Sequence, residues 1–138
     1  MPRPAPQAMT RIPPMSPLLP LRGMRLLLVE DHYALATNLA DVAVQSGADV
    51  IGPVATVADA LQLIEAVPEL DAAVLDVHLR DETTYPVADA LRARRVPFCF
   101  STAQDRAQLP ERFRDVPLCR KPFGLGGFRD ALRQLAAA

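Results

Sequence analysis

Five polar residues stand where short apolar stretches of this sequence end, and their side chains are of the kinds that bind cations or phosphate. Glu30 and Asp31 follow the first stretch, Asp76 the second, Thr102 ends the third, and Lys121 comes two residues after the fourth. Three carboxylates brought together raise one another's pKa unless a cation is present. Mg²⁺ suits such a place, because carboxylates, water and phosphate oxygens hold it. The pattern therefore predicts a magnesium site beside a phosphoryl group.

The residue types suggest a role for each member of this set. Asp76 is the nucleophile that takes up a phosphoryl group as an acyl phosphate. Glu30 and Asp31 form the metal pair, with Asp31 as the direct ligand. Lys121 pairs with one phosphoryl oxygen as a point charge, and the Thr102 hydroxyl donates a hydrogen bond to another. Phosphoryl transfer depends mainly on such positioning and neutralisation of charge.

Each of these residues also has a structural interpretation. Asp76 can begin a turn or cap a helix after its strand. Glu30 and Asp31 can cap the first helix, where negative charge is favoured. Thr102 can satisfy backbone groups at a strand end, and Lys121 can be a surface lysine. The phosphoryl site is the favoured hypothesis because all the motifs occur together in one chain.

Length and composition favour one domain, since 138 residues of which half are hydrophobic can bury a substantial core. No apolar stretch approaches the roughly 20 residues that span a bilayer. The net charge of −1 gives no reason for general affinity toward nucleic acid or anionic membranes. Cys99 and Cys119 lie within apolar stretches, which favours buried free thiols in a reducing compartment. We therefore predict a cytoplasmic protein with neither nucleic acid nor membrane as a partner.

Apolar stretches and helical patterns alternate from Met24 onwards. Continuous apolar stretches predict strands at residues 24–29, 49–53, 71–75, 96–100 and 116–119. Apolar residues at helical spacing predict helices at residues 32–46, from the capping residue Thr56 to Pro68, at 85–94 and at 124–135. A further helix at 104–113 contains Pro110, so we expect it to be short or distorted.

This alternation predicts an α/β domain of the flavodoxin-like (βα)5 type, in which helices cover both faces of a doubly wound parallel sheet. The expected strand order at this length is 2-1-3-4-5. In that order the first and third strands are neighbours, and a crevice opens at their carboxyl ends. The five polar residues then lie along one edge of the sheet.

Residues 1–22 have a different composition from the rest of the chain. They contain seven of the 14 prolines, and their charged side chains are all arginine. Proline fixes φ and removes a hydrogen-bond donor, so we predict a disordered tail before a domain at residues 23–138. A docking peptide and an over-extended start, with Met24 as the alternative initiator, are the other interpretations.

Four motifs follow the strands in a fixed order: Glu30-Asp31, Asp76, Thr102-Ala103 and Lys121-Pro122. With these motifs, residues 24–137 resemble the receiver domain of two-component response regulators. The resemblance implies that Asp76 accepts phosphate from a sensor histidine kinase or a histidine phosphotransfer protein. It also implies that the main-chain carbonyl of His78 binds the Mg²⁺ and that the Lys121-Pro122 peptide bond is cis.

The sequence departs from the usual receiver pattern at three places. Leu79-Arg80 and Thr84 stand where the family commonly has Met-Pro and Gly after the phosphoacceptor. Leu118 replaces the aromatic residue of the fifth strand that commonly rotates on activation. The fourth strand ends in Phe-Ser-Thr-Ala at residues 100–103, closer to a receiver subgroup that ends in Phe-Ala-Thr-Gly.

The resemblance implies a stand-alone, CheY-like receiver that signals by binding another protein or drains phosphate from a shared kinase, and not a metabolic enzyme. Two alternatives remain open. A pseudo-receiver would use the same fold to bind partners without being phosphorylated. A haloacid-dehalogenase-like phosphatase also uses a nucleophilic Asp, but it needs a second Asp where this chain has His78.

Overall fold

The computed structural model describes residues 21–122 and 124–137. The strands are β1 (Arg25–Val29), β2 (Asp49–Val54), β3 (Ala72–Asp76), β4 (His78–Leu79), β5 (Glu82–Thr83), β6 (Phe98–Thr102) and β7 (Leu118–Arg120). The helices are α1 (Tyr33–Gln45), α2 (Val57–Ala66), α3 (Tyr85–Ala93) and α4 (Leu125–Ala137). The domain boundary predicted at residue 23 stays a prediction, because residues 1–20 lie outside the described part of the chain.

The long strands form one parallel sheet in the order β2-β1-β3-β6-β7. With the short strands β4 and β5 set aside, this is the predicted order 2-1-3-4-5. The flavodoxin-like α/β prediction is therefore confirmed.

Two hydrophobic layers cover the sheet, because successive side chains of a strand point to opposite faces. Leu27 of β1 belongs to the layer that contains Ile64 of α2. Its neighbour Leu28 belongs to the other layer, with Leu39 of α1 and Leu132 of α4. This burial on both faces explains why β1 is a continuous apolar stretch.

Local signals place the helix ends close to the predicted positions. The Thr56 hydroxyl accepts a hydrogen bond from the Asp59 amide at 3.1 Å and caps α2. His32 caps α1 through its ring Nδ1, which accepts from the Leu35 amide at 3.2 Å. Gly47 follows the end of α1 with φ at +100°, in the left-handed region that glycine adopts without strain.

Strands β6 and β7 begin two residues later than predicted, at Phe98 and Leu118. Pro97 and Pro117 directly precede them. Proline has no N–H to donate to the ladder, so regular pairing starts after it. Their carbonyls still accept hydrogen bonds from the neighbouring strands, at 3.1 Å for Pro97 and 3.0 Å for Pro117.

The predicted helix at 104–113 is replaced by two 3₁₀ turns, Arg106–Gln108 and Glu111–Phe113. Pro110 separates the turns, because its ring cannot continue a helical hydrogen-bond ladder. The described segment is therefore less regular than the short or distorted helix that the sequence predicted, since it has no α-helical turn.

Arginine side chains donate hydrogen bonds to main-chain carbonyls within this segment and just after it. Arg106 donates to the carbonyls of Arg114, at 2.7 Å, and Val116. Arg114 donates to the carbonyls of Leu109, at 3.1 Å, and Ala107, at 3.3 Å. A guanidinium carries five N–H donors in a fixed planar arrangement, so one side chain can bond two main-chain carbonyls of the loop.

A small antiparallel hairpin of β4 and β5 follows Asp76, where the sequence predicted no strand. Its turn contains Arg80, with φ at 45° in the left-handed region. The carboxylate of Glu82 accepts a hydrogen bond from the Val57 amide at 3.0 Å and so joins the hairpin to the start of α2. Strands of two residues are too short to leave a periodic pattern in a sequence.

Cys99 and Cys119 are buried free thiols, as predicted. Burial raises the pKa of the Cys99 thiol to about 12, so it remains protonated at neutral pH. Among the described helices none is long and apolar enough to cross a membrane. The Lys121-Pro122 peptide bond is cis, as the resemblance implied, and Gly52-Pro53 is cis as well.

We expect Arg106→Met to lower the free energy of unfolding by about 1–2 kcal/mol, because two carbonyls lose a charged hydrogen-bond donor. Urea unfolding measures the change. Arg133→Met is the matched control, since within the described residues the Arg133 side chain makes an exposed ion pair with Asp130 at 3.4 Å alone, and such pairs contribute little. Equal stability of the two variants would show that the Arg106 contacts do not hold the segment.

Candidate functional site

The carboxyl ends of the central strands bring the predicted site residues to one edge of the sheet. Val29, the last residue of β1, pairs with Leu75 of β3. The next residue of β3, Asp76, pairs with Ser101 of β6. Thr102 in turn pairs with Arg120 of β7. The residues that follow β1 and β7 therefore meet beside Asp76.

Glu30, Asp31 and Asp76 form a compact acidic cluster, in which one oxygen of each carboxylate lies within 4.8 Å of the others. Glu30 is 4% exposed and Asp76 7% exposed, and Asp31 is half-buried. Charges this close and this poorly hydrated repel strongly. The strand order thus brings the three carboxylates together, and they repel one another as expected from the sequence.

Lys121 balances part of this charge. Its Nζ lies 3.1 Å from Glu30 Oε1 and 3.3 Å from Asp76 Oδ2. Three ionised carboxylates and one ammonium leave two negative charges uncompensated. Lys121 therefore lies against the acidic cluster, but it cannot neutralise the cluster alone.

Burial raises the pKa of Glu30, and the neighbouring Asp76 carboxylate raises it further. The ammonium of Lys121 opposes this shift without cancelling it. For Lys121 itself, burial lowers the pKa, but the carboxylates of Asp76 and Glu30 raise it by more. Lys121 is thus held in its charged form.

Main-chain amides orient the carboxylates. Glu30 Oε2 accepts from the His32 amide at 3.2 Å, and Asp76 Oδ1 accepts from the His78 amide at 3.3 Å. Asp31 Oδ2 accepts from the amide of Arg80, in the hairpin, at 3.0 Å. Every residue except proline has a main-chain amide, so the sequence could not indicate that the Arg80 amide bonds the Asp31 carboxylate.

Thr102 is 2% exposed at the end of β6. Its hydroxyl oxygen accepts a hydrogen bond from the Gln104 amide at 3.1 Å, which leaves the hydroxyl hydrogen available for donation. The main-chain carbonyl of His78 follows Asp76 by two residues, and its metal contact stays a prediction. The sequence marks Thr84 only as a departure from the family pattern, yet its hydroxyl donates to the main-chain carbonyl of Asp76 at 2.7 Å.

A cavity of about 540 Å³ opens over this cluster. Both polar and apolar side chains line it. Its lining residues are Glu30, Asp31, His32, Leu35, Asp76, Ala103, Lys121 and Pro122. The cavity gives access to the Asp76 carboxylate from solvent.

The donor set fits a hard divalent cation. It consists of carboxylate oxygens close enough to share one ion, and it carries more negative charge than Lys121 balances. Mg²⁺ prefers oxygen ligands and keeps several waters, so it needs only one or two carboxylates from the protein. Thiol and imidazole ligands, which would favour zinc, are not part of the cluster.

No family model matches the sequence, and no curated protein matches it. Among solved structures, SdrG from Sphingomonas melonis Fr1 is 39% identical with a TM-score of 0.72, and the alignment covers 84% of this chain and 98% of that one. The BeF3-activated conformation of SdrG from Pseudomonas melonis Fr1 is 41% identical with a TM-score of 0.68, covering 80% and 95%. The non-phosphorylated HemR receiver domain from Leptospira biflexa is 28% identical with a TM-score of 0.72, covering 83% and 95%.

The similarity to SdrG extends over almost the whole of that protein at close to 40% identity. The neighbouring structures are response regulator receiver domains of signalling proteins. Together with the sheet order and the acidic edge, this similarity establishes the family. The chain belongs to the receiver domains of response regulators.

Proposed function

We propose that this receiver takes a phosphoryl group from a phosphohistidine onto Asp76 in a magnesium-dependent reaction. The donor is a sensor histidine kinase or a histidine phosphotransfer protein. The observation that supports this proposal best is the surroundings of Asp76: two further carboxylates lie within 4.8 Å, and the Lys121 ammonium is 3.3 Å from its Oδ2. A carboxylate that only began a turn or capped a helix would not require two further carboxylates and an ammonium beside it.

One carboxylate oxygen of Asp76 attacks phosphorus, and the phosphorus–nitrogen bond of the phosphohistidine breaks. The electron pair of that bond leaves with the imidazole nitrogen, and an acyl phosphate remains on Asp76. Lys121 binds a phosphoryl oxygen from the side where it already contacts Asp76. The Thr102 hydroxyl donates to another. The apolar part of the cavity wall, including Leu35 and Pro122, keeps water from part of the site.

Glu30, Asp31, Asp76 and the carbonyl of His78 would hold the Mg²⁺. When bound, Mg²⁺ neutralises carboxylate and phosphoryl charge together. The solved structures include a BeF3-activated conformation of SdrG. Its 41% identity to this chain makes beryllofluoride a suitable probe here.

The phosphoryl group adds charge at the sheet edge, and we propose that this charge biases a surface that binds another protein, or that the chain acts as a phosphate sink. A pseudo-receiver that never becomes phosphorylated is the alternative. A phosphatase of the haloacid-dehalogenase type is less favoured, because the residue two positions after Asp76 is His78 and not Asp.

Acetyl phosphate with Mg²⁺ is expected to add one phosphoryl group to the full chain, and Asp76→Asn is expected to abolish this addition. Intact-mass spectrometry measures it. Asp81→Asn is the matched control, since Asp81 is an exposed acid of the nearby hairpin turn outside the cluster. An unmodified wild-type chain would support the pseudo-receiver, and a modification that survives Asp76→Asn would move the acceptor to another residue.

Glu30→Gln is expected to stabilise the metal-free protein increasingly as pH rises above about 4.5. The folded state holds the Glu30 proton more tightly than the unfolded state because its pKa is raised. Wild-type stability is therefore lost as pH rises from the unfolded pKa through the folded pKa, and Gln escapes this loss. Thermal unfolding without divalent cations, from pH 4.5 to 7.5, measures the difference.

Addition of Mg²⁺ should stabilise the wild type more than Glu30→Gln, because a ligand stabilises the folded state by an amount that grows as its concentration exceeds the dissociation constant. Glu65→Gln, on the exposed side of α2, is the control and should respond like the wild type. If Mg²⁺ raised the melting temperature of Glu30→Gln as much as that of the wild type, Glu30 would not be part of the metal site.

A further inference from the structure

Thr84 stands at the N-cap of α3, yet its side chain makes no hydrogen bond to that helix. A threonine at this position usually accepts from the second or third amide of the helix. Here the second helical residue is Pro86, which has no N–H. The Thr84 hydroxyl donates instead to the main-chain carbonyl of Asp76 at 2.7 Å. Its conformation therefore serves the residue that carries the candidate acceptor carboxylate.

The same residue makes a second contact to the loop after Asp76. The Thr84 amide donates to the carbonyl of Val77 at 2.9 Å. Two consecutive carbonyls, those of Asp76 and Val77, are thus held by one residue. Since each peptide unit is planar, these two bonds set the orientation of the chain as it enters His78.

His78 is the residue whose position matters for the site. Its amide donates to Asp76 Oδ1 at 3.3 Å, and its carbonyl is the expected main-chain ligand of Mg²⁺. Thr84 itself is fully buried at 0% exposure, and its carbonyl accepts from Ala88 at 3.0 Å within the first turn of α3. The hydroxyl is therefore attached to a rigid element and not to a mobile loop.

We propose that the Thr84 hydroxyl is a positioning group that holds the segment from Asp76 to His78 in the geometry needed for Mg²⁺ binding and phosphoryl acceptance. This inference rests on the proposed function. It also gives a physical reason for the departure from the receiver pattern at this position, because glycine has no hydroxyl to fix the Asp76 carbonyl. The hydrogen bond takes over part of what the usual loop sequence would do.

Thr84→Val keeps the shape of the side chain and removes the donor, whereas Thr84→Ser keeps the donor. In the full chain we expect Thr84→Val to weaken Mg²⁺ binding about 10-fold, as is common when a group that orients a metal ligand is lost. Thr84→Ser should restore most of the affinity. Mg²⁺ dissociation constants from amide chemical-shift titrations measure the effect, and the metal-free spectra should show shifted Val77 and His78 amides in Thr84→Val alone.

Thr56→Val is the matched control, because it also removes a threonine hydroxyl that holds a backbone group, at α2, away from the acidic cluster. It should lower stability without changing Mg²⁺ affinity. Thr84→Val binding Mg²⁺ like the wild type, or Thr56→Val weakening it equally, would overturn the inference and leave the proposed function intact. A wild-type chain that binds no Mg²⁺ would instead overturn the proposed function and this role with it.

Discussion

The repulsion among three carboxylates at one sheet edge is the interaction on which the rest of this structure depends. Glu30 and Asp76 are almost fully buried, so water screens their charges poorly. Lys121 lies between them at 3.1 and 3.3 Å, which lowers the cost of the cluster but leaves excess negative charge. The folded domain therefore holds a site that a divalent cation or a change of charge at Asp76 can act upon.

The parallel sheet makes this cluster possible, and main-chain amides define its details. Pairing of β1 with β3 places the residues after Val29 beside Asp76. Three amides then each hold one carboxylate, and two of them, those of His78 and Arg80, come from the hairpin of β4 and β5. A rigid sheet with short loops at its carboxyl edge is a common way to place polar groups accurately. The hairpin contributes to this placement, because the Arg80 amide in its turn donates to Asp31 Oδ2.

Much of the fold could be predicted from the sequence because its main signals are hydrophobic. The continuous apolar stretches that became β1 and β3 predicted the central strands, and their order placed the acidic residues together. The starts of β6 and β7 were wrong by two residues because apolar side chains of Val96 and Val116 hid the effect of the prolines that follow. Contacts from side chains or amides to carbonyls were not predictable. Arginine at position 106 and threonine at position 84 have many possible partners, and only the folded chain selects one.

One departure from the usual receiver pattern, Leu118, lies on the face of the sheet that packs against α3 and the second 3₁₀ turn. Leu118 stands where an aromatic residue is common, but it packs against a layer that already contains Phe113 and Tyr85. Those two rings stack with their centroids 5.6 Å apart, and the Arg92 guanidinium lies 5.3 Å from the Phe113 ring centre. The aromatic side chains of this face thus come from β6, α3 and the second 3₁₀ turn instead of β7. Hydrogen bonds from Arg106 and Arg114 to main-chain carbonyls hold the 3₁₀ segment in place. The position of the Phe113 ring therefore depends on these polar contacts within the loop that follows Thr102.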